Sequence, residues 1–204
     1  MIIIPSSQFL KIEIQNEIGC LPPSFSFLQN KRLYEFQVKL LKKSWPNERI
    51  IISLPKLFEI PETDLQKLND LKVDIFQDNS SNKLGKHINN IISNYKPKKL
   101  KILHGDTFFN KLPPGKDIIV IGKPIESAEW HMTQLTKEQD YVWAGFFNFS
   151  NPNLFSELLE KKDFSFEDSI EEMCKLITIK NYKTNDWFDF GHLEGFHKSR
   201  QKYT

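Results

Sequence analysis

Short, unbroken runs of apolar residues recur along this chain and constrain its fold more than any other feature. The clearest runs lie at residues 2–4 (III), 49–54 (RIIISL), 100–104 (LKILH) and 117–122 (DIIVIG). Each run is too short for an ordinary helix, and such runs are typical of strands that are buried on both faces. A sheet with helices on both sides is therefore predicted.

Helical patterns lie between these strands. Residues 33–43, 62–71 and 84–95 carry apolar side chains at helical spacing, and residues 73–76 (VDIF) form another predicted strand between the second and third helix. Strands that alternate with helices indicate βαβ units and a mainly parallel sheet. With 204 residues and 24.0 kDa, we predict one three-layer α/β/α domain over residues 1–204.

The second half of the chain adds three predicted elements. Residues 141–149 (YVWAGFFNF) are typical of a strand, and residues 153–159 begin a helix. A further helix is predicted over 166–176, with Ser165 as its N-cap and Asp168 three residues later.

Composition excludes several classes of function. The 28 basic and 26 acidic side chains give a formal charge of +2, whereas a nucleic-acid-binding surface needs a clustered excess of Lys and Arg. Cys20 and Cys174 lie far apart with no metal-ligand spacing, which is typical of reduced structural thiols. The apolar run that ends at Pro5 is too short for a signal peptide or a membrane span. We expect a cytoplasmic protein with no nucleic-acid or membrane partner.

Two aspartates occupy positions that suit cation binding. Asp106 follows Gly105 directly after a predicted strand, and parallel sheets bind ligands at the carboxyl ends of their strands. An Asx-turn that leaves the strand is the simpler interpretation of Asp106 alone. Asp189 lies among aromatic residues in 187–192 (WFDFGH), where a hydrophobic corner with an exposed Asp is the simpler interpretation.

Taken in order, five segments resemble the sugar-1-phosphate nucleotidyltransferases, also called nucleoside-diphosphate-sugar pyrophosphorylases. That family has an opening apolar strand, a Pro-Lys-Pro-like segment before a helix, a strand that ends in Gly-Asp, an Ala-Gly strand and a late Trp-x-Asp-x-Gly. The matching segments are 2–5 (IIIP), 21–23 (LPP) with 30–35 (NKRLYE), 103–107 (LHGDT), 142–147 (VWAGFF) and 187–191 (WFDFG).

The resemblance implies a nucleotide-diphospho-sugar transferase (GT-A-like) fold and a reaction. A phosphate oxygen of a phosphorylated sugar or related small metabolite attacks the α-phosphate of a nucleoside triphosphate and releases pyrophosphate. In the family the two aspartates that match Asp106 and Asp189 hold Mg²⁺ against the phosphates, so both are implied as catalytic and metal-binding residues.

The resemblance also implies two sets of binding residues. Nucleotide contacts fall on the carboxyl edge of the sheet and on the family glycine that lets a base lie against the backbone, namely Pro5, Ser6, Ser7, Lys11, Gly105 and Gly85. Sugar-phosphate contacts fall on Gly145 and on Lys137, with Lys123 as the alternative lysine.

The chain departs from the family pattern where the triphosphate binds. Residues 6–18 contain no glycine to form an anion nest and only Lys11 as a basic residue, and Pro23 stands where the family has a catalytic lysine. Losing one such electrostatic donor costs on the order of 10²–10³-fold in rate. A second hypothesis is therefore a non-catalytic relative that binds a nucleotide or serves as a structural partner domain.

The C-terminal segment resembles one subgroup of the family. Residues 191–200 (GHLEGFHKSR) resemble nucleotidyltransferase-like domains of bacterial capsule and surface-polysaccharide loci, where a kinase-like domain can follow. His192 and His197 are five residues apart and would point from different faces of a helix, so a metal site formed by these two is not expected.

Overall fold

The computed structural model describes residues 1–78, 83–124 and 141–203. Its strands are β1 (Ile2–Pro5), β2 (Phe27–Leu28), β3 (Lys31–Arg32), β4 (Ile50–Pro55), β5 (Val73–Asp78), β6 (Leu100–Leu103), β7 (Thr107–Phe109), β8 (Ile118–Gly122), β9 (Val142–Phe149), β10 (Lys180–Thr184) and β11 (Trp187–Asp189). Its helices are α1 (Ile12–Ile18), α2 (Leu33–Ser44), α3 (Glu62–Asp70), α4 (Leu84–Tyr95), α5 (Pro152–Lys161), α6 (Phe166–Leu176) and α7 (Leu193–Tyr203), with a short 3₁₀ helix at Pro23–Phe25.

Seven strands form the central sheet in the order β10-β8-β9-β6-β1-β4-β5. All run parallel except β9, which pairs antiparallel with both β6 and β8. The small pairs β7–β11 and β2–β3 lie outside this sheet. The prediction of a mainly parallel sheet is confirmed, and the reversed direction of β9 is the feature that the sequence pattern did not indicate.

Helices cover both faces of the sheet, as predicted. Alternate residues of a strand point to opposite faces, so Ile2 and Ile4 join one core while Ile3 joins the other. The first core contains residues of α1, α2, α3 and α7, and the second contains residues of α4, α5 and α6. The three-layer α/β/α prediction is therefore confirmed.

Several element boundaries agree with the sequence pattern. Helix α4 spans the predicted residues, and α6 begins after Ser165, whose side-chain oxygen accepts a 3.2 Å hydrogen bond from the backbone N–H of Asp168. The sequence analysis missed α1, α7 and the short strands β7, β10 and β11. Among the described residues, no helix is long and apolar enough to span a membrane.

Candidate active site

Strands β1 and β6 end side by side at the carboxyl edge of the sheet, and Gly105 allows their ends to meet. Its backbone N–H donates a 3.0 Å hydrogen bond to the carbonyl oxygen of Pro5. A Cβ at this position would lie 2.7 Å from the Pro5 oxygen and 2.9 Å from Ser6. Such distances are well inside van der Waals contact, so the junction requires glycine.

A cavity of about 120 Å³ opens at this junction, and we call it the β1–β6 cavity. Five of the predicted site residues line it, and they are Pro5, Ser6, Ser7, Gly105 and Asp106. Its other lining residues are Gln8, Pro23, Leu84 and His104. Among the described lining residues, Asp106 carries a carboxylate and His104 carries an imidazole, and the others have no ionisable side chain. The cavity thus brings together hydroxyl groups, backbone and a carboxylate, but no described lysine or arginine.

The Ser6 hydroxyl lines this cavity and is held by two hydrogen bonds. Its oxygen accepts hydrogen bonds from the backbone N–H of Ser24, at 2.9 Å, and from the Ser24 hydroxyl, at 2.8 Å. The Ser6 backbone N–H donates to the carbonyl oxygen of Ser53 at 3.0 Å. Because a hydroxyl that accepts twice can still donate once, Ser6 can offer a proton to an anionic ligand.

Gln37 of α2 holds the turn that carries Asp106. This side chain is fully buried, and its Nε2 lies 3.0 Å, 3.2 Å and 2.7 Å from the carbonyl oxygens of His104, Gly105 and Thr107. One buried amide thus contacts three backbone oxygens of this turn, of which the His104 oxygen also accepts a 3.1 Å hydrogen bond from the Thr107 N–H. The sequence analysis missed Gln37, whose only sequence signal is a polar residue on the apolar side of a predicted helix.

The pairing of β7 with β11 brings Asp106 and Asp189 together. Thr107 lies opposite Asp189 in this antiparallel pair. The backbone N–H of Phe190 also donates a 2.7 Å hydrogen bond to the carbonyl oxygen of Asp106. We refer to Asp106 and Asp189 as the aspartate pair. Asp106 is partly exposed to the β1–β6 cavity, whereas Asp189 is 3% exposed and does not line that cavity.

Burial raises the pKa of Asp189, and the nearby charge of Asp106 raises it further. Two hydrogen bonds act in the opposite sense. Asp189 Oδ2 lies 3.1 Å from His192 Nδ1, and Oδ1 accepts a 3.1 Å hydrogen bond from the Gly191 backbone N–H. The net shift is upward, because burial together with the charge of Asp106 outweighs these two hydrogen bonds and His192.

Two glycines pack directly against the aspartate pair. A Cβ on Gly191 would lie 2.4 Å from Asp106 Oδ2, and a Cβ on Gly195 would lie 2.0 Å from Asp189 Oδ2. Neither distance is compatible with an alanine unless the carboxylate moves. Gly195, at the start of α7, is a site residue that the sequence analysis missed, because a helical glycine has no motif of its own.

The two histidines of the C-terminal segment have separate partners. His192 contacts Asp189, while His197 Nε2 lies 3.0 Å from Glu17 Oε1. Among residues 1–78, 83–124 and 141–203, no group of three or more His, Cys, Asp or Glu side chains is arranged to hold a metal. The two rings thus contact different acidic residues.

His104 is a further member of the β1–β6 cavity that the sequence analysis did not single out. Its ring lies 5.4 Å from Phe147 and 5.5 Å from Phe166, between centroids. Burial lowers the pKa of His104, although Asp106 and Glu167 partly oppose that shift. The ring is therefore neutral at neutral pH and presents a polar, uncharged surface next to Asp106.

The remaining predicted site residues lie elsewhere. Lys11 is exposed just before α1 and does not line the β1–β6 cavity, and Lys137 is outside the described residues. At Gly85 the space that a Cβ would fill is occupied by the carbonyl oxygen of Phe164, 2.3 Å away. Close packing of α4 against Phe164 therefore requires a glycine at this position, and a nucleotide contact there stays a prediction.

Gly145 is explained by backbone geometry. Its φ is +83°, in the left-handed region that favours glycine, and a Cβ there would lie 2.6 Å from Thr107 Oγ1. Its carbonyl oxygen accepts a 2.9 Å hydrogen bond from the His104 N–H. Gly145 thus supports the turn that carries Asp106, and a contact with a sugar phosphate stays a prediction.

A second cavity, of about 210 Å³, lies at the same edge of the sheet beyond β8. We call it the β8–β11 cavity, and it is lined by Lys123, Asn185, Trp187, Phe188, Lys198, Ser199 and Lys202. Three lysines line it and no described acidic residue does, although Lys198 forms an ion pair with Glu194. In the sheet, β9 separates β8 from β6.

Solved structures with this architecture were found. A nucleoside-diphosphate-sugar pyrophosphorylase from Vibrio cholerae superimposes with a TM-score of 0.73 at 11% identity, covering 98% of this chain and 100% of that one. The chain has the nucleotide-diphospho-sugar transferase fold. At these identities the likeness concerns the fold alone.

Two further solved structures share this fold, with comparable TM-scores and sequence identities. The CTP:phosphocholine cytidylyltransferase from Streptococcus pneumoniae has a TM-score of 0.73 at 13% identity, over 100% of this chain and 98% of that one. The inositol-1-phosphate CTP transferase from T. maritima has a TM-score of 0.69 at 13% identity, over 99% and 95%. No protein-family model and no curated protein sequence matches the chain.

Proposed function

We propose that this protein transfers a nucleotidyl group from a nucleoside triphosphate to a phosphorylated sugar or related small metabolite, in the synthesis of a capsule or surface polysaccharide. The observation that carries the proposal is the aspartate pair, which β7 and β11 assemble beside a cavity at the carboxyl edge of the sheet. The structures that share the fold, and that are described as pyrophosphorylases and cytidylyltransferases, support the same reaction class.

The aspartate pair fits Mg²⁺ in the chemistry of its donors. Mg²⁺ in phosphate-transferring sites is typically bound by one or two carboxylates and completed by substrate phosphates and water. Asp106 would be the direct ligand because it faces the β1–β6 cavity, and Asp189 would supply the second carboxylate. A bound Mg²⁺ would neutralise charge on the triphosphate and lower the barrier to attack on its α-phosphate.

The residues of this chain would bind and align the reactants. The Ser6 hydroxyl and the backbone around Gly105 line the space for the phosphates, and Gln37 keeps Asp106 in position. Lys123, which lines the β8–β11 cavity, would contact the acceptor's phosphate. Alignment of this kind can supply most of the rate in phosphoryl transfer, because no protein nucleophile is needed.

One observation favours a second candidate function, a catalytically impaired domain that binds a nucleotide. Pro23 lines the β1–β6 cavity at the position where the resemblance places a catalytic lysine. Without that cation, the developing charge on the leaving pyrophosphate depends on Mg²⁺ and on neutral donors such as Ser6. The fold and the cavity would remain suited to binding.

A thermal-shift screen of the common nucleoside triphosphates, with and without Mg²⁺, tests the proposal. A ligand at 100 times its Kd stabilises the native state by about 2.7 kcal/mol, which is readily measured as a rise in melting temperature. The expected result is a rise with at least one triphosphate that requires both Mg²⁺ and Asp106. A flat response to every triphosphate would contradict both candidate functions.

A further inference from the structure

A third cavity, of about 640 Å³, lies along the outer side of α2 and extends to α3 and the end of α7. We call it the α2 cavity. It shares no lining residue with the β1–β6 cavity or with the β8–β11 cavity. Its volume lies within the range of roughly 300–1,000 Å³ that is usual for small-molecule sites.

The floor of the α2 cavity is apolar and held in place by aromatic contacts. Phe36, Phe108 and Tyr203 meet pairwise edge to face, with ring centroids 5.4–6.0 Å apart. Leu40 and Leu71 complete this floor. Edge-to-face packing fixes each ring against the other two, so a flat apolar group would meet a surface that is already formed.

The rim of the α2 cavity is strongly basic. Five lysines line it, and they are Lys31, Lys39, Lys42, Lys43 and Lys67. The acidic residues of the lining are Glu35 and Asp70, which leaves a formal charge of +3 from five positive and two negative groups. The whole chain carries only +2, so positive charge is concentrated here.

Glu35 is already engaged by the protein. Its Oε1 accepts a 3.0 Å hydrogen bond from the Arg32 backbone N–H and lies 3.2 Å from Lys67 Nζ. These contacts place Glu35 in the capping box of α2. Its carboxylate therefore interacts with Arg32 and Lys67 at one end of the rim. Along the rest of α2, the charged lining residues are Lys39, Lys42 and Lys43.

We propose that the α2 cavity binds an organic anion that combines a flat apolar body with at least two negative charges. The apolar body would cover the aromatic floor, and the charges would lie against the lysines of α2. An inorganic anion would meet only exposed ammonium groups, which bind weakly when they stay hydrated. A cationic ligand would be repelled by the same rim.

Binding at the α2 cavity should be independent of the proposed transferase site. No residue of the aspartate pair lines it, and its three α2 lysines (Lys39, Lys42 and Lys43) lie on the opposite side of that helix from the buried Gln37. A probe that combines aromatic rings with two sulfonates, such as the dye bis-ANS, has the required chemistry. The test is a fluorescence titration of the full chain with this dye in the absence of Mg²⁺.

We expect saturable binding of one dye per chain. The charge reversal Lys39→Glu with Lys43→Glu should weaken the dye at least tenfold without unfolding, because both side chains are exposed. The matched control Lys116→Glu with Lys161→Glu reverses two exposed lysines elsewhere and should bind within twofold of wild type. Asp106→Asn should also leave dye binding unchanged, which separates this proposal from the transferase.

Two results would overturn the proposal. One is equal affinity of the Lys39/Lys43 variant and wild type, which would show that the lysines do not contact the ligand. The other is loss of dye binding in Asp106→Asn with retention in the lysine variant, which would place the dye in the β1–β6 cavity. Pyrophosphate, which has the charge without the apolar body, should displace the dye poorly, and efficient displacement would contradict the role of the aromatic floor.

Discussion

The backbone N–H of Phe190 donates a 2.7 Å hydrogen bond to the carbonyl oxygen of Asp106. This contact joins two segments that are more than 80 residues apart in sequence and continues the pairing of β7 with β11. It places Asp189 beside Asp106, so that the charge of one carboxylate raises the pKa of the other. The acidic site is thus built by backbone pairing, and its side chains can be changed without removing the support.

Asp189→Asn should stabilise the protein while it removes activity. Burial and the charge of Asp106 raise the pKa of Asp189, so its ionised form costs stability at neutral pH. An amide oxygen can still accept from Gly191, and its NH₂ can donate to His192. We expect a melting temperature roughly 2–4 °C higher, the shift typical of about 1 kcal/mol in a chain of this size.

The stability difference between Asp189→Asn and the wild type should depend on pH. Because the folded pKa of Asp189 is raised, the wild type recovers stability as the pH falls through that pKa towards the ordinary Asp value. The advantage of the variant should therefore be largest at neutral and alkaline pH and should shrink in acid. Thermal unfolding at several pH values measures it, with the exposed carboxylate change Glu157→Gln as control. A lower melting temperature for Asp189→Asn at neutral pH would contradict the account.

Gln37→Met should loosen the turn that carries Asp106. Methionine nearly preserves the volume but cannot donate to the carbonyl oxygens of His104, Gly105 and Thr107. The His104 oxygen keeps the Thr107 N–H as a donor, and an unpaired buried acceptor costs about 1–3 kcal/mol. From the oxygens of Gly105 and Thr107 we therefore expect a loss of about 2 kcal/mol in the free energy of unfolding.

Urea denaturation measures the effect of Gln37→Met. The matched control is Gln66→Met on the exposed side of α3, which should change stability by less than about 0.5 kcal/mol. We also expect weaker nucleotide binding by the Gln37 variant. Equal stability of the two variants would show that the three hydrogen bonds do not hold the turn.

Glu48→Gln should remove a source of stability that depends on pH. Burial alone would raise the pKa of Glu48, but hydrogen bonds from Lys101 and from the amino group of Met1 outweigh it, so that pKa lies below its usual value. Lys101 Nζ lies 2.7 Å from Glu48 Oε1, and the Lys101 side chain is only 5% exposed. Removing the carboxylate leaves this ammonium buried without its counter-charge.

We expect a loss of about 2 kcal/mol at neutral pH, less than for a fully buried pair because Glu48 stays 26% exposed. A depressed carboxylate pKa contributes stability above the unfolded pKa and loses it as the pH falls through the folded pKa. The wild type and the variant should therefore begin to converge below the ordinary Glu pKa of about 4.3 and should meet only below the lowered folded pKa. Denaturation at pH 7 and in acid checks this. The surface carboxylate change Glu172→Gln should show a smaller effect, and a constant difference at all pH values would be inconsistent with the ion pair.

Pro23→Lys should increase the rate of nucleotidyl transfer. Pro23 lines the β1–β6 cavity, and a lysine there would place a cation beside the phosphates. We expect pyrophosphate release to be at least about tenfold faster than in the wild type. This is less than the roughly 10²–10³-fold that one optimally placed electrostatic donor can supply. Pro23→Met removes the same ring without adding charge and should give no increase. An equal rate in both variants would show that charge at this position is not limiting.

The sequence predicted the central architecture because its strands and helices have strong local signals. The apolar runs around Ile3 and Ile51 are buried on both faces, and α6 begins at the cap formed by Ser165. Strands β7 and β11 have three residues each and pair across the chain, so no local pattern reveals them. The antiparallel direction of β9 is likewise set by its pairing with β6 and β8, which no local sequence pattern shows.

The candidate site was predictable in part for the same reason. A Gly-Asp after a buried strand must lie at the carboxyl edge, which identified Gly105 and Asp106. The sequence could not show that Asp189 is enclosed by His192 and Gly195, since that depends on how α7 packs. The sequence also could not show that Gly85 packs against Phe164, because the two residues lie about 80 positions apart in the chain.

Release of pyrophosphate is the measurement that tests the central claim most directly. Wild type, Asp106→Asn, Asp189→Asn, the double variant and the control Glu157→Gln would each be assayed with Mg²⁺, the common nucleoside triphosphates and a panel of sugar and polyol phosphates. We expect pyrophosphate release by the wild type and by Glu157→Gln. Each aspartate variant should lose activity on the order of 10³-fold. The double variant should lose little more, because the two carboxylates act as a unit. A wild-type rate in Asp106→Asn, or a wild type that binds a nucleotide yet releases no pyrophosphate with any acceptor, would contradict it.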